Sequence, residues 1–278
     1  MGEPGGPETG STEAGSAEKG SAETGSAETG SAETGSTGDR PAFYAAGPGP
    51  WRDWWTLLHP PYTAWHLSYV VIGACLAPRV DVGLLLLTLA AFFLAVGISA
   101  HALDELKGRP LRTKIPSRML IAVTVAGLAG ALACGAAGIA QAGWGLLPYL
   151  VIGPVLVIAY NAELAGGIIH NDLGFAVSWG AFPLLTGYAA QTGGSLAAGP
   201  LLAAAGAVAL SAAQRSLSTP ARTIRRRSAH VEGTMTMAAG PAVTIDQAFL
   251  LAPLEAALRA LTWATVLLAS ALAVTRLY

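Results

Sequence analysis

Charge is what this chain has least of: 12% of its 278 residues are Asp, Glu, Lys or Arg, against roughly a quarter in a soluble domain. With 53% apolar residues, that shortage excludes an ordinary water-soluble fold and argues for a membrane protein. Cysteine is nearly absent as well. Cys75 and Cys134 both stand inside apolar runs, with no His or Cys at metal-ligand spacing, so buried thiols are expected and not a disulfide or zinc site. The net charge of -1 conceals a split, because residues 1–40 hold eight of the 17 acids and two of the 16 bases. The remainder is basic, which suits anionic lipid or phosphate, and no nucleic-acid partner is expected.

From residue 8 to 37 the pattern E-x-G-S-[A/T] repeats six times without a large apolar residue. Residues 1–45 therefore read as a disordered acidic tail. It has neither the charged start nor the apolar core of a cleaved signal, so it is expected to stay on the protein.

Residues 52–278 read as a transmembrane domain. Seven apolar stretches, at about 62–77, 82–103, 119–140, 144–160, 173–190, 197–213 and 254–274, approach the length needed to cross a bilayer. Runs this long and this rich in Ala and Leu satisfy their backbone as helices, not as alternating barrel strands, so the fold class is an all-α polytopic membrane bundle of about seven helices. Gly127, Gly130, Gly135 and Gly138 recur at helix spacing, which lets neighbours pack closely. Lys107, Arg109, Arg112, Lys114 and Arg118 follow the second stretch; Arg215, Arg222, Arg225, Arg226 and Arg227 follow the sixth; only Arg79 lies in the odd-numbered loops. That bias makes the basic side cytoplasmic and predicts a multi-pass protein of the cell membrane with its N-terminus inside and its C-terminus outside. Trp51, Trp54, Trp55 and Trp144 suit an interfacial aromatic belt.

The polar residues gather at three boundaries. His101, Asp104 and Glu105 stand at i, i+3 and i+4, on one helix face at a membrane boundary. Two readings stay open: a solvated helix end whose acids pair with Lys107 and Arg109, or a magnesium site with His101, Asp104 and Glu105 as ligands. The connection after the fourth stretch adds Asn161, Glu163, His170, Asn171 and Asp172, and the one after the sixth adds its arginines. Arginines and carboxylate-held magnesium at the mouth of an apolar bundle suit an isoprenoid diphosphate, with charge for the head and a greasy cleft for the tail. Arg225 to Arg227 also read as an ordinary polybasic contact with anionic head groups.

The chain resembles the UbiA superfamily of intramembrane prenyltransferases, most of all the branch that prenylates dihydroxynaphthoate in menaquinone synthesis. Pro61-Tyr62-Thr63 with the apolar run to Gly73 is similar to the family's R-P-x-T opening. Tyr160, Asp172, Gly180, Tyr188, Gln191 and Thr192 fall at the spacing of the branch's Y…GD…G…Y-x-x-Q-T segment, and the likeness covers about residues 52–230. The end of the second stretch takes the place of the family's N-x-x-x-D-x-x-x-D motif, with departures: aligning Asp104 puts Ala100 and Gly108 at the outer positions, and aligning Glu105 puts His101 and Arg109 there. The second motif, expected near Gln214 to Arg222, has no carboxylate.

The resemblance implies a UbiA-like bundle that transfers an isoprenoid chain from an allylic diphosphate to a small hydrophobic, aromatic or quinone-precursor acceptor, with Mg2+ as cofactor. Asp104 and Glu105 would hold the metal, Arg109 and Arg112 would act with them on the diphosphate, and Lys107, Arg215 and Arg222 would bind it. Asn161, Glu163 and Asp172 would position the acceptor. Two other readings remain: a membrane terpene cyclase of the same superfamily, and a catalytically silent lipid- or partner-binding membrane protein.

Overall fold

A computed structural model of the chain describes residues 1–2, 40–47 and 49–277. Contacts divide the chain into Met1–Thr34 and Gly35–Tyr278, and the second unit carries all the elements named below. Most of the expected tail, residues 3–39, lies outside the described residues. Its last part belongs to the fold. Ala42 and Ala45 are buried, and the Tyr44 hydroxyl is hydrogen-bonded to Nδ1 of His59 at 2.9 Å. Phe43 and Tyr44 are the first aromatic residues of the chain, so burial begins here to offset the entropy of ordering.

The unit is mainly helical, 75% helix and 3% strand. Its helices are α1 (Pro50–Leu57), α2 (Pro60–Cys75), α3 (Val82–Leu106), α4 (Ser117–Ala142), α5 (Trp144–Asn161), α6 (Asp172–Thr192), α7 (Ala198–Arg227) and α8 (Gln247–Leu277). The starts are written locally. Pro50 and Pro60 occupy first-turn positions, where a missing N–H costs nothing. Asp81 caps α3 by accepting from the Leu84 amide, and Asn171 caps α6 by accepting from Gly174.

Among the described residues five helices, α3, α4, α5, α6 and α8, are long and apolar enough to cross a membrane. The other two expected stretches also form helices. The 16 residues of α2 extend only about 24 Å at 1.5 Å per residue, and α7 carries its arginines through to Arg227 as a single helix of 30 residues. Helix α2 is the centre of the bundle, packed on α6 and α8, with Trp65, Tyr69, Val70 and Ala74 inaccessible. Two glycines let it approach α6. A Cβ on Gly73 would stand 1.9 Å from the Leu184 carbonyl oxygen, and one on Gly187 would stand 2.2 Å from that of Val70.

The all-α expectation needs one amendment. Glu232–Met235 (β1) and Val243–Asp246 (β2) pair antiparallel as a hairpin ahead of α8, where Gly240 has φ 98° and alternating residues such as Val243-Thr-Ile245-Asp favour strand over helix.

Polar contacts collect at one end of the bundle. Lys107 pairs with Glu163 at 2.5 Å, Arg215 Nε with Asp172 Oδ1 at 2.9 Å, and the Lys114 amide donates to Asp53 at 2.8 Å. At the other end the Asp81 amide donates to Gln191 Oε1 at 2.7 Å and Arg276 donates to the Pro78 carbonyl at 3.0 Å. Residues 40–47 and the C-terminal Arg276 thus mark opposite ends.

Candidate functional site

At the polar end the helices enclose a cavity of about 440 Å³. Each element brings residues one or two turns apart. His59, Tyr62 and His66 come from the start of α2, Ala100, His101 and Asp104 from the end of α3, and Tyr160 and Asn161 from the end of α5. Helix α7 contributes Gln214, Ser218, Arg222 and Arg226, spaced by four on one face, with Arg215 and Arg225 beside them. Pro41 to Tyr44 complete the wall as a strap, held by Arg225 donating to the Arg40 carbonyl at 3.2 Å and Arg226 donating to that of Pro41 at 3.1 Å.

A second, apolar cavity of about 100 Å³ lies between α3, α4, α5 and α6, lined by Leu84, Phe92, Leu146, Tyr149 and Phe182 among others. Val96 and Trp179 wall both cavities. Each sits in a π-helical stretch, Phe93–Ala100 in α3 and Val177–Ala181 in α6. Widened turns leave carbonyls short of their usual partners, and side chains answer them: Ser99 Oγ donates to Leu94 at 2.9 Å, and His66 Nδ1 lies 2.8 Å from the Trp179 carbonyl.

Five arginines and two carboxylates, Asp104 and Glu255, line the polar cavity. Arg215 is compensated by Asp172 and stacks over Phe175 at 5.1 Å. Arg225 is compensated by buried Glu255, with Nη2 to Oε2 at 2.9 Å. Among the described residues Arg222, Arg226 and the exposed Arg227 have no carboxylate partner; Arg222 donates only a long 3.4 Å bond, to Thr219. His59 stacks on His101 with centroids 4.1 Å apart. Burial, then His101, Arg226 and Arg222, push its imidazole well below the ordinary value, so it is neutral. Burial likewise pushes the Tyr44 phenol well above its usual range and keeps the hydroxyl protonated. Among the described residues His59 Nε2, the Tyr160 hydroxyl and Gln214 Oε1 are buried without a hydrogen-bond partner, and these three residues all line this cavity.

Of the residues given a metal, catalytic or binding role from the sequence, the structure brings five together, His101, Asp104, Asn161, Arg215 and Arg222, beside His170 and Arg225 to Arg227 from the same polar boundaries. It separates the rest. Glu105 is fully buried and faces the loop after α3, accepting from the amides of Leu111 and Thr113 at 2.9 Å and from the Thr113 hydroxyl at 2.8 Å. Arg109 turns onto the same loop, donating to the Ile115 carbonyl at 2.6 Å and to Ser117 Oγ at 2.7 Å, and Arg112 is exposed. Lys107 and Glu163 pair on the surface, where the Lys107 hydrogen bond holds the Glu163 carboxyl below its usual range. Asp172 reaches the rim only through Arg215. Tyr44, His59, Tyr62, His66, Tyr160, Gln214, Arg226 and Glu255 were not anticipated as a set. Their signal was helical spacing, 62 and 66 along α2 with His59 just ahead of it, and 214, 218, 222 and 226 along α7, hidden because α7 was expected to end near Ala213.

The expected magnesium ligands do not converge. Among the described residues no group of three or more His, Cys, Asp or Glu is placed to hold a metal ion. With both oxygens of Glu105 engaged, Asp104 is the one carboxylate on the cavity outside an ion pair, and a hard, oxygen-seeking cation gains little from it and an imidazole. That donor set does not fit the ion. Comparison with protein-family models, with curated proteins and with solved structures gives no match to the chain.

Proposed function

We propose that this chain is a seven-crossing, UbiA-like protein of the cell membrane, with a cytoplasmic N-terminus, that binds an isoprenoid diphosphate and transfers its prenyl group to a small hydrophobic acceptor. One observation carries the reading: a cationic cavity and an apolar cavity share Val96 and Trp179 as a common wall. That pairing suits an amphiphile with an anionic head and a hydrocarbon tail. Side chains that face outward support the membrane setting, since α4 and α5 expose Met119, Ile121, Val125, Val151, Ile152 and Val155.

In the proposed reaction the allylic C–O bond breaks with its electron pair leaving on the diphosphate. An electron-rich acceptor carbon bonds to the allylic carbon and then loses its proton to the released diphosphate. Arg222 and Arg226 stabilise the departing charge, and the apolar wall keeps water from the cation. Incubating purified protein with radiolabelled geranylgeranyl diphosphate and candidate phenolic acceptors tests this; diphosphate release with a labelled lipid-soluble adduct is expected. Release without an adduct would point to a cyclase or to hydrolysis. Binding without release would assign the silent lipid-binding reading, which is favoured by a cavity where Asp104 is the one carboxylate outside an ion pair among the described residues.

A further inference from the structure

The polar cavity offers arginine where the family resemblance calls for carboxylate-held metal. Among the described residues two of its part-buried guanidinium groups, on Arg222 and Arg226, face the cavity without a carboxylate partner, and three buried polar groups, on His59, Tyr160 and Gln214, lack hydrogen-bond partners at the same place. Unsatisfied buried groups are costly unless something fills the space between them. The Tyr160 O–H is a donor, and His59 Nε2 is one in the tautomer that accepts at Nδ1 from Tyr44, so both suit phosphate oxygens. Guanidinium forks suit the same oxygens in pairs.

We propose that Arg222 and Arg226 bind the diphosphate head directly, without a divalent ion, and that Asp104 is not a metal ligand. The proposal rests on the prenyl-diphosphate reading and changes its electrostatics. A carboxylate that carries a metal attracts the anion; a bare carboxylate beside the arginines repels it. Neutralising Asp104 therefore has opposite consequences in the two cases.

The test measures binding of radiolabelled farnesyl thiodiphosphate to the full-length chain in discs of neutral phosphatidylcholine, in EDTA and in excess magnesium. Expected are affinities within about threefold of each other in the two buffers, displacement by inorganic pyrophosphate, and a loss of about tenfold for each of Arg222→Gln and Arg226→Gln, one charge-assisted bond apiece. Asp104→Asn should bind as well as wild type or tighter. Arg112→Gln, outside the cavity, should bind as wild type, and melting curves identify any variant that fails to fold. Binding only with magnesium, loss of binding in Asp104→Asn, or full binding by the folded double arginine variant overturns the proposal while leaving the prenyl-diphosphate reading standing. Displacement by phosphatidylglycerol as effective as by pyrophosphate overturns it in favour of a lipid headgroup site. No binding in either buffer overturns the functional reading together with the proposal.

Discussion

Asp104 and Glu105 are neighbours in the chain that serve opposite sides of it: Asp104 faces the polar cavity, while Glu105 is sealed beneath the loop that follows and holds that loop by three accepted hydrogen bonds. Consecutive helical residues point about 100° apart, so one of the pair can serve a cavity only by giving up the face the other serves. Glu105→Gln puts an amide N–H₂ against donors of Leu111 or Thr113. It should destabilise the protein by about 3 kcal/mol, since a buried charged acceptor is lost and a donor is stranded. Asp104→Asn should leave the melting temperature nearly unchanged. Thermal unfolding in detergent measures both, and a Glu105→Gln protein as stable as wild type would dissolve the loop-anchor role.

His59 gives stability a pH signature. Its folded pKa is depressed by burial and by His101, so the contribution is complete above the unfolded imidazole value of about 6.5 and is lost as pH falls from there toward the folded value. In that window the unfolded chain binds the proton and the folded chain does not. His59→Asn should flatten the decline in melting temperature between roughly pH 6.5 and 5 relative to wild type. Parallel profiles for the two proteins would show that His59 is not the group responsible.

The strap should separate two deletions. Removing residues 2–39 takes away Gly, Ser, Glu and Thr repeats that have no large apolar side chain, and melting should not change. Removing residues 2–46 also strips Phe43 and Tyr44 from Tyr62 and His59, and should cost about 3 kcal/mol for two aromatic side chains and their partners. Equal melting temperatures for the two deletion variants would mean that the strap contributes nothing to the fold.

Topology follows from where the contacts fall. Arg40 is held at the polar end by Arg225, and Arg276 at the other end by Pro78. Compartment reporters fused to the two termini should read opposite sides, with the N-terminus cytoplasmic by the distribution of bases. Reporters on the same side would remove one crossing, with the 16-residue α2 the first to doubt.

Much of the frame was legible in the residues. Apolar runs of near-membrane length have one way to satisfy their backbone in hydrocarbon, so helices at these positions follow from composition alone. Alternation then places the connections holding Lys107, Glu163 and the Arg215-to-Arg227 segment at the same end. The β1–β2 hairpin, the packing of Phe43 and Tyr44 against Tyr62 and His59, and the run of α7 past Pro220 to Arg227 were not legible, because each depends on what the rest of the chain offers to pack against.

Sequence by itself determined which residue types stand at the polar end: carboxylates at 104 and 105, arginines from 215 to 227, imidazoles at 59, 66, 101 and 170. Tertiary structure alone decided which of them share a cavity, which are consumed by Asp172, Glu255 or the loop after α3, and which are left without a carboxylate. The reason is physical. Spacing along a helix fixes the angle between two side chains, but the partner that neutralises a charge comes from another helix, and its position is set by how all the helices pack.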